Sequence, residues 1–420
     1  MKRPSATILL LIAISFLFTK CEEEEDRHSI PDNNFLNALI ETGIDTNGDG
    51  IISAEEAERT TELHLHDKGI ADLSGIEAFV NLVELNCSNN IIEHLDVTGI
   101  SNLKYLDCSL NLLNSLVISQ NEVLKELDCG RNLLRGLDIS NNNALEELHC
   151  YDNKLSSLDL SGCPKLVELN CGLNPLTFID ITDNIKLDNL FSPGCDLSNL
   201  DLSGNPELTK LELSENKLSS LDVSKNPLLI DLGCSYNPIS QLDISHSESL
   251  EYLRCEKCEL ENLDLSYNTN LKGLSCTKNN INKLDLSNNS SITYLDCVLN
   301  QLDTLDLSKN TLLEILYCAS NELSALDLSQ LPNLKEIAFS FNELSSIDLS
   351  GNLDLTYLNA GNNMLRTLDI SANKKIVNLE LWQNPLLEQV CVWTTPFPPE
   401  AIQLVMHNSP NIYFTTDCGD

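Results

Sequence analysis

Rings and basic side chains are both scarce in this chain. Phe, Trp and Tyr make up 5% of its 420 residues, with only two tryptophans, which tells against a large globular core built on aromatic packing. Lys and Arg number 26 against 63 Asp and Glu, a net charge of -37, so the phosphate-neutralising surface needed for nucleic acid is missing. The same imbalance tells against peripheral binding to an anionic membrane surface. No apolar run beyond Phe18 is long enough to cross a bilayer. No H-E-x-x-H, G-x-S-x-G, P-loop or Rossmann signature occurs. His64, His66, His94, His149 and His246 are scattered, and the carboxylates recur at fixed intervals where a catalytic pair would break the pattern. The chain therefore reads as a non-enzyme.

At the N-terminus, Lys2 and Arg3 precede an apolar stretch from Ala6 to Phe18 that is too short to span a membrane comfortably. Residues 1–20 read as a signal peptide. Cys21 follows, then Glu22, Glu23, Glu24, Glu25 and Asp26, an arrangement that resembles a bacterial lipoprotein signal with lipidation on Cys21. The acidic run resembles the export tag of surface-exposed lipoproteins in Bacteroidetes. This resemblance implies an acidic tether over residues 21–30 and an outer-membrane lipoprotein facing the cell exterior, touching the membrane only through its lipid.

Residues 45–56 fit a twelve-residue EF-hand-like loop position by position. Oxygen ligands for one calcium ion would come from Asp45, Asn47, Asp49, the carbonyl of Ile51, Ser53 and both oxygens of Glu56, while Gly50 makes the sharp turn and Ile52 anchors the loop. Phe35, Leu36, Leu39 and Ile40 recur at helical spacing before it, behind a start signal at Pro31-Asp32, and Ala54 to Arg59 can form a short exiting helix. Residues 31–60 thus form a helical N-terminal cap. A lone loop of this kind would brace the segment behind it rather than act as a paired sensor.

From Leu82 onward the chain repeats every 21 residues through Cys87, Cys108, Cys129, Cys150, Cys171, Ser192, Leu213, Cys234, Cys255, Cys276, Cys297, Cys318, Phe339, Ala360 and Leu381. One further coil centred on Leu65 lies 22 residues upstream of Cys87, which makes sixteen. The pattern L-x-x-L-x-C-x-x-N-x-L-x-x-L-D-L-S-x-N-x-x resembles the leucine-rich repeat family, with cysteine in place of leucine at the inner strand position. In the broad sense it is similar to secreted and surface internalin-like proteins of bacteria. The expected fold is mainly β, a leucine-rich repeat solenoid of about sixteen coils over residues 61–390. Its concave face is a parallel sheet and its convex side is extended or turn-like.

The residues agree with that expectation. In Leu85-Asn86-Cys87 and its equivalents, alternation turns Leu and Cys inward and the residue between them outward. The third residue after the ladder position is Asn in thirteen of fifteen coils, suited to bonding the backbone where the strand bends, with Cys195 and Cys258 as the weaker exceptions. Ten of the sixteen cysteines sit in the ladder, where parallel side chains in a row neither cross-link readily nor converge on a metal, so they read as small core hydrophobes. Cys163 falls at an outer turn position and receives no role. Residues 391–420 break the repeat and read as a C-terminal cap, stapled by a disulfide between Cys391 and Cys418 in an oxidising location.

Two surfaces remain. The outward positions of the concave sheet include Glu84, Tyr105, Glu126, Glu147 and Glu168, then Tyr252, Tyr294, Tyr317 and Tyr357, which either grip a protein or glycan or form a plain solvated face. On the convex side an Asp column runs from Asp138 to Asp369, each member followed two residues later by Ser or Thr. It is either held by hydrogen bonds to the turns or loosely binds divalent cations. The functional expectation is a surface-exposed, non-enzymatic binding or adhesion module working through the concave face; the alternative is a calcium-braced structural component of the cell surface without a selective ligand.

Overall fold

The computed structural model describes residues 30–418, so the leader, Cys21 and the acidic run lie outside the described residues. The described chain forms two compact units, residues 30–145 and 146–418.

The first unit opens with helix α1, Asn33–Glu41, capped by Asp32. Helix α2 spans Ala54–Arg59 and is capped by a reciprocal Ser53–Glu56 box. On α1 the buried residues are Phe35, Ala38 and Leu39, whereas the expected Ile40 faces solvent. The Asp32 carboxylate does more than cap. It accepts from Asn34 and Phe35 of its own helix and from the backbone amides of Ala71 and Asp72 in the first coil. Burial pushes this carboxyl up, but the four amides outweigh that and hold it below the ordinary range. The cap is thereby tied to the repeat by charge-assisted bonds.

Strands Glu62–His64, Glu84–Asn86, Tyr105–Asp107 and Glu126–Asp128 then pair in parallel, each a residue-for-residue match of the next coil. The second unit continues the pattern with thirteen such strands, from Glu147–His149 to Gln403–Val405. Each is a parallel β-solenoid, as the alternation predicts. Every central residue of these strands up to Leu379 is buried, and the cysteines behind them have no exposure. The opposite side is extended, with short parallel pairings at His94–Asp96 with Ser115–Val117, and at Thr367–Asp369 with Gln389–Cys391 and Tyr413–Thr415.

One boundary differs from expectation. Residues 391–420 do not simply break the repeat: Gln403–Val405 pairs with Asn378–Glu380 as a further ladder strand. The connecting segment is longer than in the other coils and carries Pro396, Pro398 and Pro399, which hides the periodicity. The expected Cys391–Cys418 disulfide is formed, with the Cα atoms 5.5 Å apart, and staples this last turn. Asp369 lies beside it, but disulfide sulfurs offer no thiolate to a metal.

The bend after most ladder strands is built by asparagine. Asn300 donates to the carbonyls of Cys297 (3.1 Å) and, one coil back, Cys276 (3.0 Å), while its Oδ1 accepts from Ile281 (3.1 Å). The residue before each such Asn, and before Cys195 and Cys258 at the same position, has φ between 49° and 63° from Asn89 to Gln383, and only Gly194 among them is glycine. Leu110, Arg131, Tyr236 and Phe341 are held there at a cost of roughly 1 kcal/mol each, offset by the asparagine bonds. At Cys195 and Cys258 the thiol donates to the previous coil, but no carbonyl oxygen is present to accept. The amides left over, Leu176 and Ile239, turn to Asn174 and Asn237 two residues behind them.

A second asparagine column lies at the other turn. Asn121, Asn142, Asn205, Asn226, Asn268, Asn289, Asn310 and Asn373 have no exposure, and each donates to two carbonyls of the preceding coil. Cys163 occupies this column and is fully buried, so its position faces inward.

Candidate functional site

The convex Asp column is accounted for by the turns. From Asp138 to Asp369 each carboxylate Oδ1 accepts from the amide two residues on, as Asp264 does from Ser266 at 2.9 Å. In ten of these residues, Asp159 to Asp348, hydrogen bonds from the following Ser or Thr hold the carboxyl below its ordinary value, against burial and, at several, a neighbouring Asp. A carboxyl whose folded value is depressed stabilises the fold above its unfolded value of about 3.9, and that stability is lost as pH falls through the folded value. Stability should therefore hold from pH 7 to 5 and fall below about pH 4, read as the urea midpoint at fixed salt. A midpoint that rose on acidification would show that relief of the -37 charge outweighs the turn bonds.

In the loop at 45–56 the oxygens close on the chain itself. Asp45 accepts from Gly48 (2.7 Å) and Gly50 (2.9 Å), whose φ of 79° supplies the expected turn. Asn47 and Asp49 accept from the amides of Asp49 and Ile51. Glu56 reaches back across the loop: Oε1 accepts from the amide and hydroxyl of Thr46 and the amide of Asn47, and Oε2 from the amide and hydroxyl of Ser53. The Ser53 amide and the Thr46 hydroxyl lead in lowering its carboxyl to about 2, against burial. An all-oxygen donor set suits a hard cation, but ligation by both Glu56 oxygens would have to replace the Thr46 and Asn47 bonds.

The face of the ladder sheet carries the remaining predicted residues. Glu84, Tyr105 and Glu126 are register neighbours in the first unit. In the second, Glu147 pairs with Glu168, whose carboxylate meets His149 (3.2 Å) and Asn189 (3.0 Å). Tyr252 is exposed and lies against Gly273, where a Cβ would come within 3.0 Å of the ring. Tyr294 and Tyr317 meet edge to face at 6.2 Å, and the Tyr317 hydroxyl donates to Glu336. Burial pushes the Tyr294 hydroxyl up to about 12 and, with Glu336, the Tyr317 hydroxyl higher still, so both remain protonated donors. Tyr357 donates to Glu380 at 3.2 Å.

Sequence reasoning missed several members. Glu380 also accepts from Asn359 and from Trp382 Nε1, both at 2.9 Å. Trp382 lies over Gly361, meets Phe341 at 5.2 Å and stacks on His407 at 5.9 Å. Arg254 bridges Glu212 (3.1 Å) and Asp231 (2.9 Å) on adjoining strands. The breaks in the pattern, Gly361 and Trp382 in particular, were the available signal. His94 Nδ1 contacts Ser115 Oγ at 2.8 Å, but among the described residues no carboxylate orients the ring, so no triad is assembled. No helix of the described residues is long and apolar enough to cross a membrane.

No family model matches the sequence, and no curated protein sequence matches it either. Solved structures do. The functional domain of InlJ from Listeria monocytogenes, described as including a cysteine ladder, is 32% identical with a TM-score of 0.79, over 82% of this chain and 77% of that one. The internalin InlF of the same organism matches at 20% identity and a TM-score of 0.64, over 78% of this chain and 95% of that one. The plant peptide hormone receptor RGFR1, in complex with RGF2, matches at 19% and 0.62, over 86% of this chain and 69% of that one, which is likeness of fold alone. On the identity and extent of the first of these matches, the chain belongs to the internalin-like family of leucine-rich repeat proteins.

Proposed function

We propose that the chain is a secreted or cell-surface module that binds a protein through the face of its ladder sheet, without catalysis. One observation carries this reading. Each ladder strand up to Asn378–Glu380 buries its central residue and turns its two flanking positions outward, and the outward tyrosines and carboxylates do little of the structural work that the leucines, cysteines and asparagines do. A rigid array whose outward positions are not needed to fill the core is a recognition surface that can vary without loss of fold. That the plant peptide hormone receptor RGFR1 was solved in complex with RGF2 supports a protein partner for a chain of this fold. Screening the whole chain against extracellular protein ectodomains and a glycan array tests it. A protein ligand whose Kd rises at least tenfold in the Tyr252→Ala, Tyr294→Ala, Tyr357→Ala triple variant is the expected result. Binding that ignores all three, or binding to glycans alone, contradicts it.

A lipid on Cys21 would hold the module at the outer membrane, and one calcium ion on Asp45, Asn47, Asp49, the Ile51 carbonyl, Ser53 and Glu56 would brace the cap against the first coil. Calcium titration by calorimetry should give a stoichiometry of about one, abolished by Asp45→Asn with Glu56→Gln. A stoichiometry of zero in the parent chain would leave the loop a hydrogen-bonded cap only.

A further inference from the structure

A depression of about 630 Å³ opens on the ladder face of the second unit, lined by Val298, Tyr317, Glu336, Ala338, Tyr357 and Asn378 among others. Its cause is a size difference in one register row. At the last outward position of three successive strands stand Tyr317, Ala338 and Asn359, so the methyl of Ala338 leaves unfilled the space that its neighbours fill. Tyr317 stands on one side, held edge-on by Tyr294, and Tyr357 on the other, held through its hydroxyl by Glu380. Between them lies Glu336. Its Oε2 takes the Tyr317 hydroxyl, and its Oε1 has no donor among the described residues.

The charge of this place is one-sided. No basic residue lines it. The lysines nearest in sequence are committed elsewhere, Lys335 to Glu314 at 2.6 Å and Lys375 to Asp354 at 2.6 Å. A carboxylate with an open oxygen between two ring systems suits a cation, whose attraction to both the charge and the ring faces strengthens where water is partly excluded. A planar guanidinium suits it better than an ammonium, since it can stack on a ring and still donate in plane to Glu336. A sugar is less well served. The largest ring nearby, Trp382, is already covered by Gly361, Phe341 and His407, and the Tyr317 and Tyr357 hydroxyls are spent on Glu336 and Glu380.

We propose that this depression is a recognition slot for an arginine side chain of the partner protein, seated on Glu336 between Tyr317 and Tyr357. The proposal rests on the reading of the ladder face as a protein-binding surface and names one contact within it.

The test uses the whole chain with 13C-labelled tyrosine. The chain has nine tyrosines, few enough to assign by single substitution. N-acetyl-arginine amide is titrated while the ring signals are followed, with the uncharged citrulline analogue and methyl glucoside as controls. The expected result is saturable shifts at Tyr317 and Tyr357, absent at Tyr105 and absent with citrulline. Glu336→Gln should weaken the arginine probe at least tenfold, and Ala338→Leu, which fills the slot and keeps the charge, at least fivefold. Shifts that citrulline or methyl glucoside reproduces, no shift at either ring, or an affinity indifferent to both variants overturns the slot. Capture of a protein ligand that survives Ala338→Leu, together with silent rings, overturns the slot and leaves the wider reading standing. Arginine shifts in a chain that captures no protein do the reverse.

Discussion

Replacing Asn300 with alanine is expected to cost about 4 kcal/mol, several times the effect of a typical surface change. The side chain is buried and acts on two coils at once. Its Nδ2 satisfies the carbonyls of Cys276 and Cys297, with a longer reach to Val298 at 3.4 Å, and its Oδ1 takes the amide of Ile281. Alanine would leave the Ile281 amide buried without a partner, worth roughly 1–3 kcal/mol, and would strip one of two donors from the carbonyls of Cys276 and Cys297, which keep Asn279 (2.8 Å) and Asn321 (3.0 Å), at about 1 kcal/mol for each lost bond. It would also release Leu299, which the turn holds at φ 56°. Asn300→Cys should cost about half as much, because the chain shows how a thiol is accommodated. Cys258 Sγ donates to Cys234 O at 3.2 Å, and the stranded amide of Ile239 finds Asn237 O at 2.9 Å. Urea midpoints of the two variants, with hydrogen exchange at the Ile281 amide, decide the matter. A loss below 1 kcal/mol for alanine, or equal losses for alanine and cysteine, would sink the argument that the asparagine is needed as donor and acceptor together.

The two asparagine columns show why some of this structure was legible and some was not. The first column follows a strand whose alternation is plain, so an inward Asn three residues after the ladder position could be assigned its backbone role. The second sits in the segment Ser-x-Asn, which reads as an ordinary polar turn. Its burial was hinted at only by its exceptions, since Cys163, Ser247 and Leu331 are all small or apolar and all fully buried. The left-handed residue of each coil carried a signal in only a few coils, at Asn89, Asp152, Gly194 and Asn362. Elsewhere Leu, Arg, Tyr, Phe and Lys stand there, types that do not favour φ above zero, and the constraint comes from the coils on either side. The final ladder strand was hidden by its longer connection and its prolines. In the candidate site, the tyrosines were visible as outward residues. Their convergence on Glu336 and Glu380 was not, because those acids look like any other of the 63.

The cysteine ladder allows the most specific test of how the core is filled. Burial pushes the Cys276 and Cys318 thiols up to about 12, so at neutral pH they remain uncharged and serve as small apolar groups. Where the ladder departs from cysteine, a large residue stands next to a small one: Leu213 beside Ser192, and Phe339 between Cys318 and Ala360, all without exposure. Neighbouring ladder positions thus share one volume along the stack. Cys276 stands between Cys255 and Cys297, with no small neighbour to yield space. Cys276→Phe should therefore overpack the core and cost about 3 kcal/mol. Adding Cys297→Ala reproduces the order Cys318, Phe339, Ala360 and should return at least 1 kcal/mol, a coupling within the range for contacting residues. Cys297→Ala alone removes only a sulfur and should cost about 1 kcal/mol. Unfolding midpoints of the three variants close the cycle. Additive losses would mean that each coil fills its own core independently. A double variant more stable than Cys276→Phe alone would show that the 21-residue unit is packed with its neighbours, so that cysteine persists in the ladder as the size that fits when both neighbours are cysteine too.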